Sequence, residues 1–197
     1  MELTRTKDIT KQIIAQQVLE LCKSKPINKI SVQELMDKCS LSRKTFYNNF
    51  QDKFDLINWF FGFMCDNIIE QYAQHEPWGV VLGRIYRFMY ENGRAFGKQW
   101  GEQDLRYLID GMDGYIQEYY KRTIVELHGA DALTQEFLFE NLYNSYGALN
   151  IVLDWIKGRI SISPEELGMQ MANAMPPYMQ SMVDRYHARN LQIPTGP

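Results

Sequence analysis

Long apolar runs, paired cysteines, clustered histidines and strand-like alternation are missing or scarce in this 197-residue chain, and each absence removes a class of protein. No stretch of about 18 consecutive apolar residues occurs, so the sequence offers no membrane-crossing helix. The opening MELTRTKDIT lacks the apolar core that an export signal needs, and the expectation is a cytoplasmic protein with no membrane partner. Cys22, Cys39 and Cys65 are odd in number and stand 17 and 26 residues apart, a spacing that suits neither a disulfide framework nor a zinc knuckle. Buried free thiols are expected instead. His75, His128 and His187 are isolated, and the chain holds no His-Glu-x-x-His pattern, no phosphate-binding glycine loop and no nucleophile elbow. Asp110 with Asp113, and Glu136 with Glu140, have helical spacing that could bring carboxylates together, but solvated helix faces carry such pairs routinely. No catalytic residue, metal site or cofactor is expected, and an enzyme is the weaker reading.

What is present is an ordinary globular composition with an uneven distribution of charge. Hydrophobic residues make up 45% and charged residues 23%, which excludes a disordered or collagen-like chain. The length allows a substantial core, in one large domain or two small ones; only the stretch from about Tyr186, with Pro194 and Pro197, reads as a loose tail. Residues 1–53 hold ten Lys or Arg against six Asp or Glu, whereas residues 54–197 hold eleven against eighteen. A basic first quarter on an acidic remainder suggests that the amino-terminal part meets a polyanion.

Apolar residues recur at helical spacing almost throughout. Ile14, Val18, Leu21 and Cys22 mark a helix over residues 8–24 that stops at Lys25-Pro26. Ser31 and Glu34 form a capping-box pattern ahead of Val32, Leu35, Met36 and Cys39. Ser40-Leu41 leaves room only for a tight turn before Ser42 caps a third short helix reaching about Phe50. Asp52-Lys53 starts a longer helix that ends before the breaker-rich HEPWG. Further helices are expected at about 79–91, 94–101 and 103–127, then from Thr134 to Lys157, and from Ser163-Pro164 onward with a break at Pro176-Pro177. The fold class is all-α with about nine helices: an amino-terminal helix-turn-helix domain over residues 1–53 and a helical regulatory and dimerisation domain over residues 54–197.

The third helix, SLSRKTFYNNF, has few of the Glu, Lys and Gln residues that usually fill an outward face. At 100° per residue Phe46 and Phe50 point inward, while Lys44, Thr45 and Asn48 occupy the opposite side, flanked by Arg43, Tyr47 and Asn49. Arg and Lys can donate to guanine O6 and N7, Asn can bond adenine bidentately, Thr can offer its methyl to thymine, and Ser or Tyr hydroxyls can bond phosphate oxygens. Asn is also a poor helix former, and Asn48 and Asn49 have the alternative reading of residues that end a short helix.

The run from Ile30 to Leu56 resembles the helix-turn-helix of the TetR (tetracycline repressor) family, with its Ser-Arg-x-Thr-hydrophobic-Tyr-x-x-Phe-x-x-Lys signature at Ser42, Arg43, Thr45, Phe46, Tyr47, Phe50 and Lys53. Asn28-Lys29-Ile30-Ser31-Val32 and Asp55-Leu56-Ile57-Asn58-Trp59 further resemble the branch containing regulators of dihydroxyacetone kinase operons. The likeness covers about residues 8–60. It departs at Ser40, where glycine is usual, at Met36, where a small residue is usual, and at Lys44, where small residues are common. The resemblance implies a sequence-specific regulator of transcription binding double-stranded DNA. Arg43, Lys44 and Thr45 would approach bases, with Gln33 as a further contact, while Ser31, Ser42, Tyr47, Asn48, Asn49 and Lys53 would fix phosphates.

It further implies a homodimer on a palindromic operator, acting as a ligand-responsive repressor. The dimer would form through the apolar helix after Thr134, where Gly147 and Ala148 permit close approach, and through the Met-rich stripe Leu167, Met171, Met175, Tyr178 and Met182. The alternative is that both helices simply close the core of one chain. Trp59, Phe63, Trp100, Tyr107, Tyr115, Tyr143, Tyr146 and Asn150 could wall a pocket for a small-molecule effector, although an ordinary helical core uses the same residues. The competing functional reading is a coactivator that keeps this fold but works through a protein partner without an inducer of its own.

Overall fold

The computed structural model describes residues 2–93 and 101–190. Among them are nine α-helices and no strand: α1 (Glu2–Cys22), α2 (Val32–Lys38), α3 (Arg43–Tyr47), α4 (Lys53–Tyr72), α5 (Trp78–Glu91), α6 (Glu102–His128), α7 (Gln135–Ile156), α8 (Pro164–Ala174) and α9 (Pro177–Asn190). Single 3-10 turns stand at Ile27–Lys29 and Ala130–Ala132.

Local chemistry accounts for most of these limits. Ser31, Ser42, Thr134 and Ser163 each stand in extended backbone at a helix start, and their side-chain oxygens accept from the amide three residues on. At Ser163 the box is reciprocal, since Glu166 reaches back to the Ser163 amide at 2.9 Å and Pro164 occupies the first turn. At Ser31 only half of the box forms. Glu34 turns instead to Lys25, whose ammonium lies 2.7 Å from both carboxylate oxygens and holds that carboxyl below its usual range.

Three expectations shift. The third helix is five residues long rather than nine: Asn48 caps it, and Asn49 closes it by donating its side-chain amide to the Thr45 carbonyl at 2.7 Å. Two consecutive poor helix formers end it there, and Phe50 reaches the core from the following turn. The first helix begins before residue 8, and α9 carries helix to Asn190, so the loose tail does not start at Tyr186. The helix expected at 94–101 lies almost wholly outside the described residues. The break at Pro176-Pro177 separates α8 from α9, because Met175 turns to extended backbone ahead of Pro176.

The α2–α3 turn closes on a Schellman motif. Ser40 donates to the Asp37 carbonyl at 3.1 Å and Leu41 to the Met36 carbonyl at 3.0 Å, with Ser40 itself at φ 54°. The same closure ends α7, where Gly158 at φ 75° donates to Trp155 and Arg159 to Asp154. A side chain at such a φ costs about 1–2 kcal/mol, which is why glycine is usual in this turn.

The chain forms two compact units, Met1–Phe63 with Glu91–Met112, and Met64–Tyr90 with Asp113–Pro197. The divisions fall inside α4, at the end of α5 and inside α6. The first unit buries Ile14, Val18, Leu35, Met36, Phe46, Leu56 and Ile57 completely, each worth about 1.5–3 kcal/mol of transfer free energy. The second buries Trp78, Met89, Tyr119, Tyr120, Leu149, Trp155, Leu167 and Met179. In that unit α5 and α8 meet at glycines: a Cβ on Gly168 would lie 2.3 Å from the Gly83 amide nitrogen and 2.4 Å from the Gly79 carbonyl oxygen, so only glycine permits this crossing. Cys22 and Cys65 are buried thiols as expected, while Cys39 is half-buried. No helix among the described residues is long and apolar enough to cross a membrane.

Candidate nucleic-acid interface

The helix-turn-helix is built around one anchor. Phe46 is fully buried and Phe50 nearly so, their rings 5.7 Å apart, and Phe50 packs on Trp59 at 5.8 Å. With that side of α3 inward, Arg43, Lys44, Tyr47 and Asn48 are exposed, together with Ser42 at the cap. The Arg43 guanidinium lies 6.0 Å from the Tyr47 ring centre, and the Tyr47 ring meets Phe46 edge-on at 5.4 Å, so the cation is steadied by an aromatic that the core itself holds. Helix α3 contains no carboxylate. On α2, Ser31 and Gln33 are exposed, and Gln33 donates to Asp37 at 2.6 Å, a donation that fixes which end of its amide faces out.

Three of the expected contact residues have other tasks in the free chain. Thr45 is half-buried, its hydroxyl 2.9 Å from that of Ser42, so it completes the cap. Asn49 is half-buried and bonded to Thr45, with its Oδ1 buried and without a partner among the described residues; it ends the helix instead of facing outward. Lys53 directs its ammonium into the fold, to the carbonyls of Ile27 at 2.8 Å, Ile30 at 2.5 Å and Asn28 at 3.5 Å.

The residues expected to wall an effector pocket are divided between the two units. In the first unit Trp59 stacks on Phe63 at 5.2 Å under the Lys11 ammonium, and Tyr107, itself half-exposed, stacks on Phe54 at 5.3 Å. In the second unit Tyr115 is half-buried and donates to Asp66 at 2.8 Å. Tyr143 and Tyr146 are 75% and 55% exposed, and Asn150 is exposed as well, so these three share an exposed side of α7. Trp100 lies outside the described residues.

The second unit has a polar cluster that the sequence reading missed. His187, read as isolated, is buried with its Nε2 2.8 Å from the Tyr119 hydroxyl, and the Trp78 ring stacks on both at 5.6 and 5.8 Å. Burial pushes the imidazole down to about 4, so it is neutral and shares one hydrogen bond with the tyrosine hydroxyl. Its partners are 68 and 109 residues away, and no local pattern reveals them.

Helices α7 and α8, both expected to meet a second copy, differ in what they bury within the single chain. Leu167, Met171 and Met175 are buried within the unit, and after the break the inward positions pass to Met179, Met182 and Val183. Tyr178 is instead exposed and hydrogen-bonds Glu140. The α8 stripe closes the core of its own chain. Helix α7 buries Phe137, Leu149, Val152 and Trp155 on one side, but on another exposes Phe139 (68%), Tyr143, Tyr146 and Ile151 around Gly147, which has nothing within 4 Å of its would-be Cβ.

No protein-family model matches the chain. Among curated proteins, the HTH-type dhaKLM operon transcriptional activator DhaS of Lactococcus lactis subsp. lactis (strain IL1403) is 32% identical over 84 residues, which is 43% of this chain and 45% of that protein. The match thus spans less than half the length of this relative. Among solved structures, a dihydroxyacetone kinase operon activator DhaS superposes with a TM-score of 0.54 at 21% identity, covering 90% of this chain and 97% of the other. A TetR transcriptional regulator from Rhodococcus sp. RHA1 superposes with a TM-score of 0.60 at 14% identity, covering 85% and 96%. At these identities the structural likeness establishes the fold.

Proposed function

This chain has the fold of the TetR regulators and is DhaS-like in sequence, and from that premise we propose that it is a homodimeric transcriptional regulator binding a palindromic operator. The outward side of α3 enters the major groove. Arg43 and Lys44 donate to base edges, Gln33 adds a contact from α2, and Ser31, Ser42, Tyr47 and Asn48 bond the flanking phosphates. The observation that carries this reading is the pairing on α3 of a fully buried Phe46 with exposed Arg43, Lys44 and Asn48 and no carboxylate. A helix anchored from behind and cationic in front suits a polyanion and suits little else.

The dimer follows from α7. Its exposed side carries Phe139, Tyr143, Tyr146 and Ile151 together, and a two-fold copy of the same face would cover them. Two readers related by a two-fold axis then meet half-sites about one helical turn apart. The likeness to a protein named as a transcriptional activator supports a regulator over an enzyme. Repression is the first expectation from the family likeness. Activation is the second reading, favoured by the name of the relative at 32% identity.

Selection of bound duplexes from a random pool, at stated salt, tests the proposal. An enriched palindrome supports reader, dimer and spacing together. Steep salt dependence without any enriched sequence leaves only a nonspecific basic surface. A reporter behind the selected site separates repression from activation.

A further inference from the structure

We propose that Lys53 is a positioning residue for DNA recognition: from inside the fold it fixes where α2 begins, and it does not bind a phosphate. The inference rests on the DNA-binding reading above and assigns this side chain the opposite orientation from the one that reading would otherwise give it.

A lysine ammonium carries three protons on one point, and here carbonyl oxygens from three residues of a single turn surround it: Ile27 at 2.8 Å, Ile30 at 2.5 Å and, at the limit of reach, Asn28 at 3.5 Å. These carbonyls belong to the 3-10 turn joining α1 to α2, whose Ile27 and Ile30 side chains are buried. Lys53 itself is the first residue of α4, so the bonds span 23 to 26 positions of sequence and join the start of one helix to the approach of another. Ile30 immediately precedes Ser31, the cap of α2, and Gln33 follows two residues later. The residues of α2 that face outward are therefore set by a turn that Lys53 holds from within.

Two further contacts agree. Lys25, at the other end of the same turn, ties it to Glu34 in the first turn of α2, so the turn is held at both ends. The thiol of Cys22, at the end of α1, is pushed up to about 11 by burial and drawn partly back by the Lys53 charge, which places that charge toward the interior as well. A phosphate contact would require the ammonium to leave two part-buried carbonyls at once; Ile27 would keep the Ile30 amide at 3.0 Å, while Ile30 would give up its bond to the ammonium. A guanidinium is no substitute, because its planar fork spreads its donors and cannot converge on one turn.

The test compares Lys53→Met, Lys53→Arg and the unaltered protein by anisotropy titration on the selected operator and on a random duplex of equal length. Salt is varied, at a temperature where circular dichroism shows each protein folded. Positioning predicts that both variants lose about tenfold or more on the operator, keep their random-duplex affinity within about twofold, and keep the slope of log affinity against log salt. Equal losses on both duplexes in Lys53→Met, a slope reduced by about one, and rescue by Lys53→Arg would identify a phosphate contact and overturn the proposal. Unchanged operator affinity in folded Lys53→Met would overturn it too. Failure of the unaltered protein to bind any duplex is a failure of the DNA-binding reading alone. Amide exchange then decides: faster exchange at Lys29, Ile30 and Ser31 in Lys53→Met supports the clamp, and unchanged exchange refutes it.

Discussion

Helices α3 and α7 each leave one side uncovered, and the two sides have opposite chemistry. Helix α3 shows solvent Arg43, Lys44 and Asn48; α7 shows it Phe139, Tyr143, Tyr146 and Ile151. Water is a good solvent for the first set and a poor one for the second, so only the first is stable as an open surface awaiting a soluble polyanion. Under the proposed dimer the second would be permanently covered. Each side is the back of a well-packed helix, Phe46 beneath α3, and Leu149, Val152 and Trp155 beneath α7. Exposure therefore does not mark weak packing, and the two faces suit two different kinds of partner.

The comparison breaks most visibly at α7. Phe139→Asp with Tyr143→Asp should leave the single chain folded, since both side chains are exposed in it. It should convert the dimer to monomer in sedimentation and lower operator affinity by about a thousandfold through loss of the second half-site. A dimer that persists would remove α7 as the interface.

The His187 cluster formed by α5, α6 and α9 adds a pH dependence to the second unit. Because the His187 value lies near 4 in the fold and near the ordinary 6.5 when unfolded, the unfolded chain binds the extra proton between those limits. This contribution to stability is complete above about pH 6.5 and falls by up to about 1.4 kcal/mol per unit as pH drops toward 4. Denaturant melts across that window should show an acid limb that His187→Gln flattens.

On the α3 side, Arg43→Ala should cost about 1–3 kcal/mol on the operator and relax preference at one symmetric base pair, as read by repeating the selection. The smallest expected effect concerns the turn that carries α3. Ser40→Gly should raise unfolding free energy by about 1 kcal/mol, whereas the reverse change at the matching closure, Gly158→Ser, should lower it by a similar amount. Paired thermal melts check both.

Local determinants were readable in the sequence and distant ones were not. Ser42, Thr134 and the Ser163-Pro164-Glu166 box announced their helices because a cap acts within three residues. The end of α3 was overrun because Phe46-to-Phe50 spacing suggested a longer helix, while Asn49 bonding back to Thr45 stops it. The direction of Tyr143 and Tyr146 was illegible for a different reason: α7 is apolar around most of its circumference, so periodicity cannot say which side meets its own unit. Lys53 matched a signature and was read outward, yet its partners lie more than 20 residues upstream. The Gly168 contact with Gly79 and Gly83 is equally a meeting of helices far apart in the chain.

The central claim, that the exposed side of α3 lies in a major groove, has a direct physical test. An iron chelate tethered at Lys44→Cys, in a Cys39→Ser background that removes the half-buried thiol, generates radicals at the position of that side chain. On the selected operator the account predicts two symmetric cleavage clusters, centred in major-groove segments about one helical turn apart. Cleavage spread evenly along the duplex, or none above that of free chelate, would contradict it.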